Sequence, residues 1–321
     1  MKKRFQTTAR KTAAALGLST LVVGAALVGH QRATVSPELG AAATQELIHS
    51  AVDEAPAPPV ATEAGWDIPN LDHARVDYWI GRFQSDKRGD LEIYIQRMGR
   101  YAALISTELD KRDMPQDLVY LAMIESGFNP KAYSSARASG LWQFIGGTAA
   151  RYGLDMNRAV DERNDPVKAT SAALEYLGDL HERFGSWYLA AAAYNMGENG
   201  LTRILRAALG RTTGTDADYY AVWGRLPKET RDYVPLMVAA ARIAKEPVQY
   251  GFDGIEPLKP EAVHEVVARP ATLLKTLAKT AGTTVQELRS LNPQLKLDRT
   301  RNDESMVVRV PARESGLGAA D

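Results

Sequence analysis

The stretch from Leu118 to Leu154, LVYLAMIESGFNPKAYSSARASGLWQFIGGTAARYGL, constrains this chain more than any other. It carries one carboxylate, Glu125, at the end of an otherwise apolar run. Pro115 sits where a first-turn proline is tolerated, Asp117 suits the positive end of a helix dipole, and Asn129-Pro130 closes the segment. Leu118, Leu121, Ala122 and Ile124 make nearly the whole helix surface apolar, so the helix is expected to be buried. Glu125 then falls in its last turn, where low dielectric and the negative end of the dipole both disfavour the ionised form and raise the pKa. A carboxylic acid kept neutral near pH 7 is what general-acid cleavage of a glycosidic bond requires. A Glu that only marks the helix end and points to solvent fits the spacing equally well.

The residues around Glu125 separate these readings. Glu125-Ser126-Gly127-Phe128-Asn129-Pro130, then Ala132, Ser134, Gly140-Leu141-Trp142-Gln143-Phe144, Thr148-Ala149 and Tyr152-Gly153-Leu154 closely resemble the catalytic motif of lytic transglycosylases with the goose-type-lysozyme-like (SLT) domain. The resemblance implies that Glu125 is the single acid/base and that Ser134 and Gln143 contact the sugar. Arg137 and Gly146-Gly147 depart from it, standing where many members have a Gly and a Met-Pro or Ile-Pro pair.

Composition narrows the class. The 321 residues exceed the usual single-domain size, and 39 basic against 39 acidic residues lack the excess charge on which nucleic-acid affinity rests. The absence of Cys removes disulfides, thiol catalysis, thiolate metal sites and an N-terminal lipidated Cys. Lys2, Lys3, Arg4, Arg10 and Lys11 precede an uncharged run from Thr12 to Gly29, the two halves of an export signal. A cleaved signal peptide is the first reading of residues 1–30 and an uncleaved membrane anchor the second. Either puts the folded part outside the cytoplasm, in the periplasm or cell envelope. Residues 31–65, rich in Ala, Pro and Glu, read as a disordered tether.

Order is expected from Trp66. Val76, Trp79, Ile80 and Phe83 stand at helical spacing, and Leu91, Ile95, Met98, Tyr101, Ala102, Ile105 and Leu109 continue in a second helix. No Gly-rich phosphate loop and no His pair at metal-ligand spacing is present, so neither cofactor nor metal is expected. Asp165-Pro166 is a cap followed by a first-turn proline, Gly185 stops that helix, and Ser186 caps the next. The run Ala190 to Ala193 fits close helix contact beneath a site, or simply high helix propensity.

That helix ends in Ala193-Tyr194-Asn195-Met196-Gly197, similar to the family's Ala-Tyr-Asn-x-Gly motif. Leu226-Pro227-Lys228-Glu229-Thr230-Arg231-Asp232-Tyr233-Val234 is similar to its LPxETxxYV segment, opening a helix to about Lys245 that Pro235 is expected to kink. The resemblance places Tyr194 and Asn195 along the cleft and Tyr233 near the cleavage point. Glu229 reads either as a first-turn dipole partner or as part of the site, and the absence of a paired-carboxylate pattern favours the first.

After Glu246, Pro247, Pro257 and Pro260 suggest a linker over 247–262. Residues 263–312 then read as strand, helix, helix, strand. TLLKTLAKTAGTTVQELRSLNP followed by VRVP resembles a LysM module, a small βααβ domain that binds N-acetylglucosamine-containing glycans. Its opening departs from the usual GDTL, and Lys296 to Ser305 is unusually polar, which marks it as degenerate. Residues 313–321 read as a disordered tail. The expected fold is mainly α, with a lysozyme-like α-helical catalytic domain over 66–246 and this module behind it.

A two-carboxylate glycosidase needs a second Asp or Glu across the bond, and the motif segments offer only Glu125. The resemblance implies instead that the 6-hydroxyl of N-acetylmuramic acid closes on the sugar, leaving a 1,6-anhydromuramoyl end on peptidoglycan glycan strands. A monomer is expected, associated with the membrane only if the N-terminal segment stays attached. A hydrolytic muramidase of the same fold, a catalytically silent peptidoglycan-binding protein and a wall-trimming component of a transport or secretion apparatus are the alternatives.

Overall fold

The computed structural model describes residues 65–312, so the readings of residues 1–64 as signal and tether, and of 313–321 as tail, lie outside the described residues. Among the described residues the chain is mainly helical. The first helices are α1 (Ala74–Gln84), α2 (Arg88–Asp110), α3 (Val119–Ser126) and α4 (Gly146–Arg151). They are followed by α5 (Pro166–Phe184), α6 (Trp187–Met196), α7 (Glu198–Leu209), α8 (Asp216–Ala221) and α9 (Lys228–Lys245). No helix among them is long and apolar enough to cross a membrane.

The local rules act as the sequence suggests. Asp165 caps α5 by accepting from the Val167 and Lys168 amides, Pro166 occupies its first turn, and Gly185 ends it in the left-handed conformation at φ 76°. Ser186 accepts from the Leu189 amide and starts α6. Ala190 to Ala193 are fully buried, and α6 packs against α5, α7, α8 and α9 at once. Close helix contact therefore explains the alanines. Pro235 does not end α9. The Arg231 carbonyl that its missing N–H leaves open is taken by the Tyr219 hydroxyl at 2.9 Å and the Trp223 indole at 3.0 Å.

Helix α3 is buried on every side, as its composition requires, and lies between α2 and α9. Its C-terminus explains Gly127, which has φ 55°, and a Cβ there would stand 2.1 Å from the Tyr94 ring. Gly127→Ala is therefore expected to cost about 3 kcal/mol through overpacking and backbone strain. Urea unfolding checks this; a loss well under about 1 kcal/mol would show that the ring moves aside freely.

In the C-terminal unit, β1 (Val263–Ala268) pairs antiparallel with β2 (Met306–Pro311), from Val263 opposite Pro311 to Ala268 opposite Met306. Helices α10 (Leu274–Thr280) and α11 (Val285–Leu291) lie between them in sequence, giving the expected βααβ order. Asn292 is buried and fastens α11 to β2, donating to the Leu288 and Arg309 carbonyls and accepting from the Arg309 amide. The segment read as a linker is packed onto the first unit. The Leu258 amide donates to the Gln96 carbonyl at 2.8 Å, and Arg100 meets Glu261 at 2.8 Å.

Candidate active site

Helix α3 carries Glu125 into the interior, where its residue is only 6 % exposed. From α9, the buried Tyr233 hydroxyl donates to Glu125 Oε1 at 2.5 Å. Burial pushes the Glu125 carboxyl up to about 8, against the pull of the Tyr233 hydrogen bond, and the charge of Glu229 adds to the push. The solvent-facing helix-end reading is thereby excluded. Burial, together with the Glu125 charge, holds the Tyr194 and Tyr233 hydroxyls well above the ordinary tyrosine range, so both stay protonated donors.

The loop from Ala132 to Phe144 carries the two other motif residues. Ser134 is buried, its hydroxyl accepting from the Ala138 amide at 3.1 Å while its own amide donates to the Ala138 carbonyl. Gln143 sits at φ 47°, and its amide nitrogen donates to the Gly140 and Ala132 carbonyls at 2.9 and 3.3 Å. Arg137 also has a positive φ, 62°, a conformation that glycine enters without steric cost and that fits the Gly the resemblance implies there. Ser126, beside Glu125, ties this loop to α3 by donating to the Leu141 carbonyl at 2.8 Å.

Helix α6 supplies the remaining pair. Tyr194 donates to the Trp142 carbonyl at 2.8 Å and lies close enough to Glu125 to feel its charge. Asn195 is buried and spends its amide on protein, accepting from Thr230 Oγ1 at 2.8 Å and donating to Glu229 Oε1 at 3.4 Å. It fastens α6 to α9. The geometry thus gathers Tyr233, Tyr194 and the Gln143 loop about Glu125, and sets Asn195 behind them as a strut.

Of the two readings of Glu229, the structure adds weight to the site one, since it bonds Asn195 and its charge reaches Glu125. The signal lay in the spacing, because Glu229 precedes Tyr233 by four residues and shares its helix face. Asp232 carried no such signal. It pairs through both oxygens with Arg75 of α1, and both side chains are buried, with Asp232 directly beside Tyr233 in sequence.

The transglycosylase SLT domain family matches residues 103–213, and the LysM-like domain of lytic transglycosylase MltD matches residues 262–317. Membrane-bound lytic murein transglycosylase D of Escherichia coli (strain K12) is 36 % identical over 197 residues, 61 % of this chain and 43 % of that protein. A putative tributyltin chloride resistance protein of Alteromonas sp. (strain M-1) is 44 % identical over 108 residues, 33 % of this chain and 51 % of that one. The crystal structure of the 70 kDa soluble lytic transglycosylase of Escherichia coli aligns at 24 % identity with a TM-score of 0.40, covering 53 % of this chain and 28 % of the other. The chain spans about half the length, or less, of the curated relatives it matches. Glu125, Ser134, Gln143, Tyr194 and Asn195 fall inside the SLT match, whereas Tyr233 and Glu229 come from a helix beyond it that packs into the same core. The chain therefore carries a transglycosylase SLT domain followed by a LysM-like domain of the lytic transglycosylase MltD type, and is homologous to membrane-bound lytic murein transglycosylase D.

Proposed function

We propose that this protein is a peptidoglycan lytic transglycosylase that cleaves the β-1,4 bond between N-acetylmuramic acid and N-acetylglucosamine, with Glu125 as acid and then base. The observation that carries the reading is the Glu125 carboxyl buried on α3 with the Tyr233 hydroxyl donating to it, a setting that favours its neutral form. Glu125 gives its proton to the glycosidic oxygen as the bond to the muramoyl C1 breaks. The oxygen of the muramoyl 6-hydroxyl bonds to C1, and its proton passes to the Glu125 carboxylate. No water is consumed and the acid is regenerated. Tyr233 supports the middle of this cycle, because its hydroxyl donates to the carboxylate formed when Glu125 has given up its proton. Gln143 and Ser134 stand on the loop that would meet the sugar. The family of the motif and the murein relative support the substrate class. The basic-then-apolar residues 2–29 support export to the envelope, where that substrate lies.

Incubation of the full chain with purified peptidoglycan, followed by mass analysis of the released muropeptides, tests the reading. Anhydromuropeptides are expected. Products heavier by one water would instead identify a hydrolytic muramidase. Binding to sacculi with no release would reject catalysis altogether.

The site also fixes a pH dependence. Glu125 must be protonated to start the reaction, so kcat/KM falls as pH rises through about 8. The Tyr233 hydrogen bond favours the carboxylate, so its removal in Tyr233→Phe is expected to move this alkaline limb to higher pH while lowering the rate. A limb that moves to lower pH in the variant would contradict the assignment.

A further inference from the structure

The polar stretch Lys296 to Ser305 finds its physical meaning at the junction with the SLT unit. Val160 of that unit inserts into the small apolar core formed by Leu274 and Leu295. Around it, the Lys296 amide donates to the Ala159 carbonyl at 2.9 Å, Lys296 Nζ to the Asn157 carbonyl at 2.6 Å, and the Asp161 amide to the Gln294 carbonyl at 2.9 Å. Arg301 meets Asp155 at 2.8 Å. From β2, Arg309 grips both oxygens of Asp165, at 2.9 and 3.2 Å, with both side chains largely out of water.

The segment held in this way, residues 155–165, is the outer wall of the Gln143 loop. Arg163, oriented by Asp161, donates to the Arg137 and Phe144 carbonyls at 2.7 and 3.0 Å. The Ser139 hydroxyl donates to Asn164 at 2.7 Å. Gly140 approaches so closely that a Cβ would stand 1.8 Å from the Arg163 carbonyl oxygen. The loop also contains Arg137 and Gln143 at positive φ, a conformation that persists only where the surroundings impose it.

We propose that the LysM-like module is a brace, with Arg309 as a positioning residue that acts through Asp165 and Arg163 to hold residues 137–144, the loop that meets α3 through Ser126 and α6 through Tyr194, in its observed conformation. The catalytic consequence rests on the lytic reading above; the mechanical one does not.

The test is amide hydrogen exchange on the full chain, with activity measured in parallel. In Arg309→Ala combined with Val160→Asp, exchange over 137–144 is expected to rise on the order of tenfold or more, while α3 and α9 keep their protection. Peptidoglycan turnover should show a raised KM with a smaller change in kcat, and Arg309→Lys alone should retain most of the wild-type protection. Unchanged exchange at 137–144 in the double variant, whatever happens within the module, would overturn the brace. Exchange that rises equally through α3 and α9 would overturn it too, as general destabilisation. If the wild-type protein releases no anhydromuropeptides, the lytic reading fails while the exchange result still decides the brace.

Discussion

Glu125→Gln is expected to lose lytic activity by on the order of 10³-fold or more, since general acid–base transfer carries roughly 10²–10⁴ and in the proposed mechanism the same group serves both steps. The same substitution is expected to make the protein more stable near neutral pH. In the unfolded chain this carboxyl ionises from about pH 4.5, whereas burial keeps it protonated in the folded protein up to about 8. Between those values folding requires uptake of a proton that solution does not favour, so wild-type stability declines as pH rises and levels off above 8. Below pH 4.5 both states are protonated and the difference vanishes. The amide of the variant has no such proton linkage, so at pH 7 the gain is as much as about 3 kcal/mol as an order of magnitude, from roughly 2.5 pH units at about 1.4 kcal/mol each. Thermal melts of both proteins from about pH 4 to 9 check the sign: the curves should meet at the acid end and diverge upward. An inactive variant with the wild-type stability profile would mean that Glu125 is ionised when folded.

Asp232→Ala is expected to cost about 3–5 kcal/mol, which lowers the melting temperature of a unit this size by about 10 °C. It leaves the Arg75 guanidinium buried between α1 and α9 with its carboxylate gone. The contact of that guanidinium with the Tyr78 ring, 4.2 Å from the centroid, does not neutralise a full charge. The effect has a catalytic echo, because Asp232 immediately precedes Tyr233 and steadies the helix that presents it to Glu125. Replacing both members with apolar residues, as in Arg75→Met with Asp232→Leu, should recover most of the stability, since a buried pair is worth little over a well-packed apolar one. Denaturant unfolding measures both. A single-variant loss below about 1 kcal/mol would show that water reaches the pair.

Much of this architecture was legible because local rules and burial agree. The apolar circumference of α3 announced its place in the core, Asp165-Pro166 and Gly185-Ser186 marked helix boundaries, and the alternation of residues 263–311 gave the βααβ order. What could not be read were contacts between residues far apart in the chain. Nothing in the spacing of Arg75 and Asp232, 157 residues apart, announces a bidentate pair. Helix α7 is written only in periodicity, with Leu201, Ile204, Leu205 and Ala208 at helical spacing, and follows so closely on the Tyr194-Asn195 motif that no loop sets it apart. The spacing puts Glu229 on the helix face of Tyr233, but that this face meets Glu125 depends on how α9 packs against α3. The polarity of residues 296–305 looks like degeneration in isolation and becomes intelligible only opposite Asp155, Asn157 and Asp165.

The most direct measurement is the protonation state of Glu125 itself. Infrared difference spectra of protein labelled with ¹³C at the glutamate carboxyls, wild type minus Glu125→Gln, isolate this one group. A protonated carboxyl band is expected below neutral pH, titrating away near pH 8. A carboxylate band already present there, with a midpoint near 4.5, would contradict that expectation.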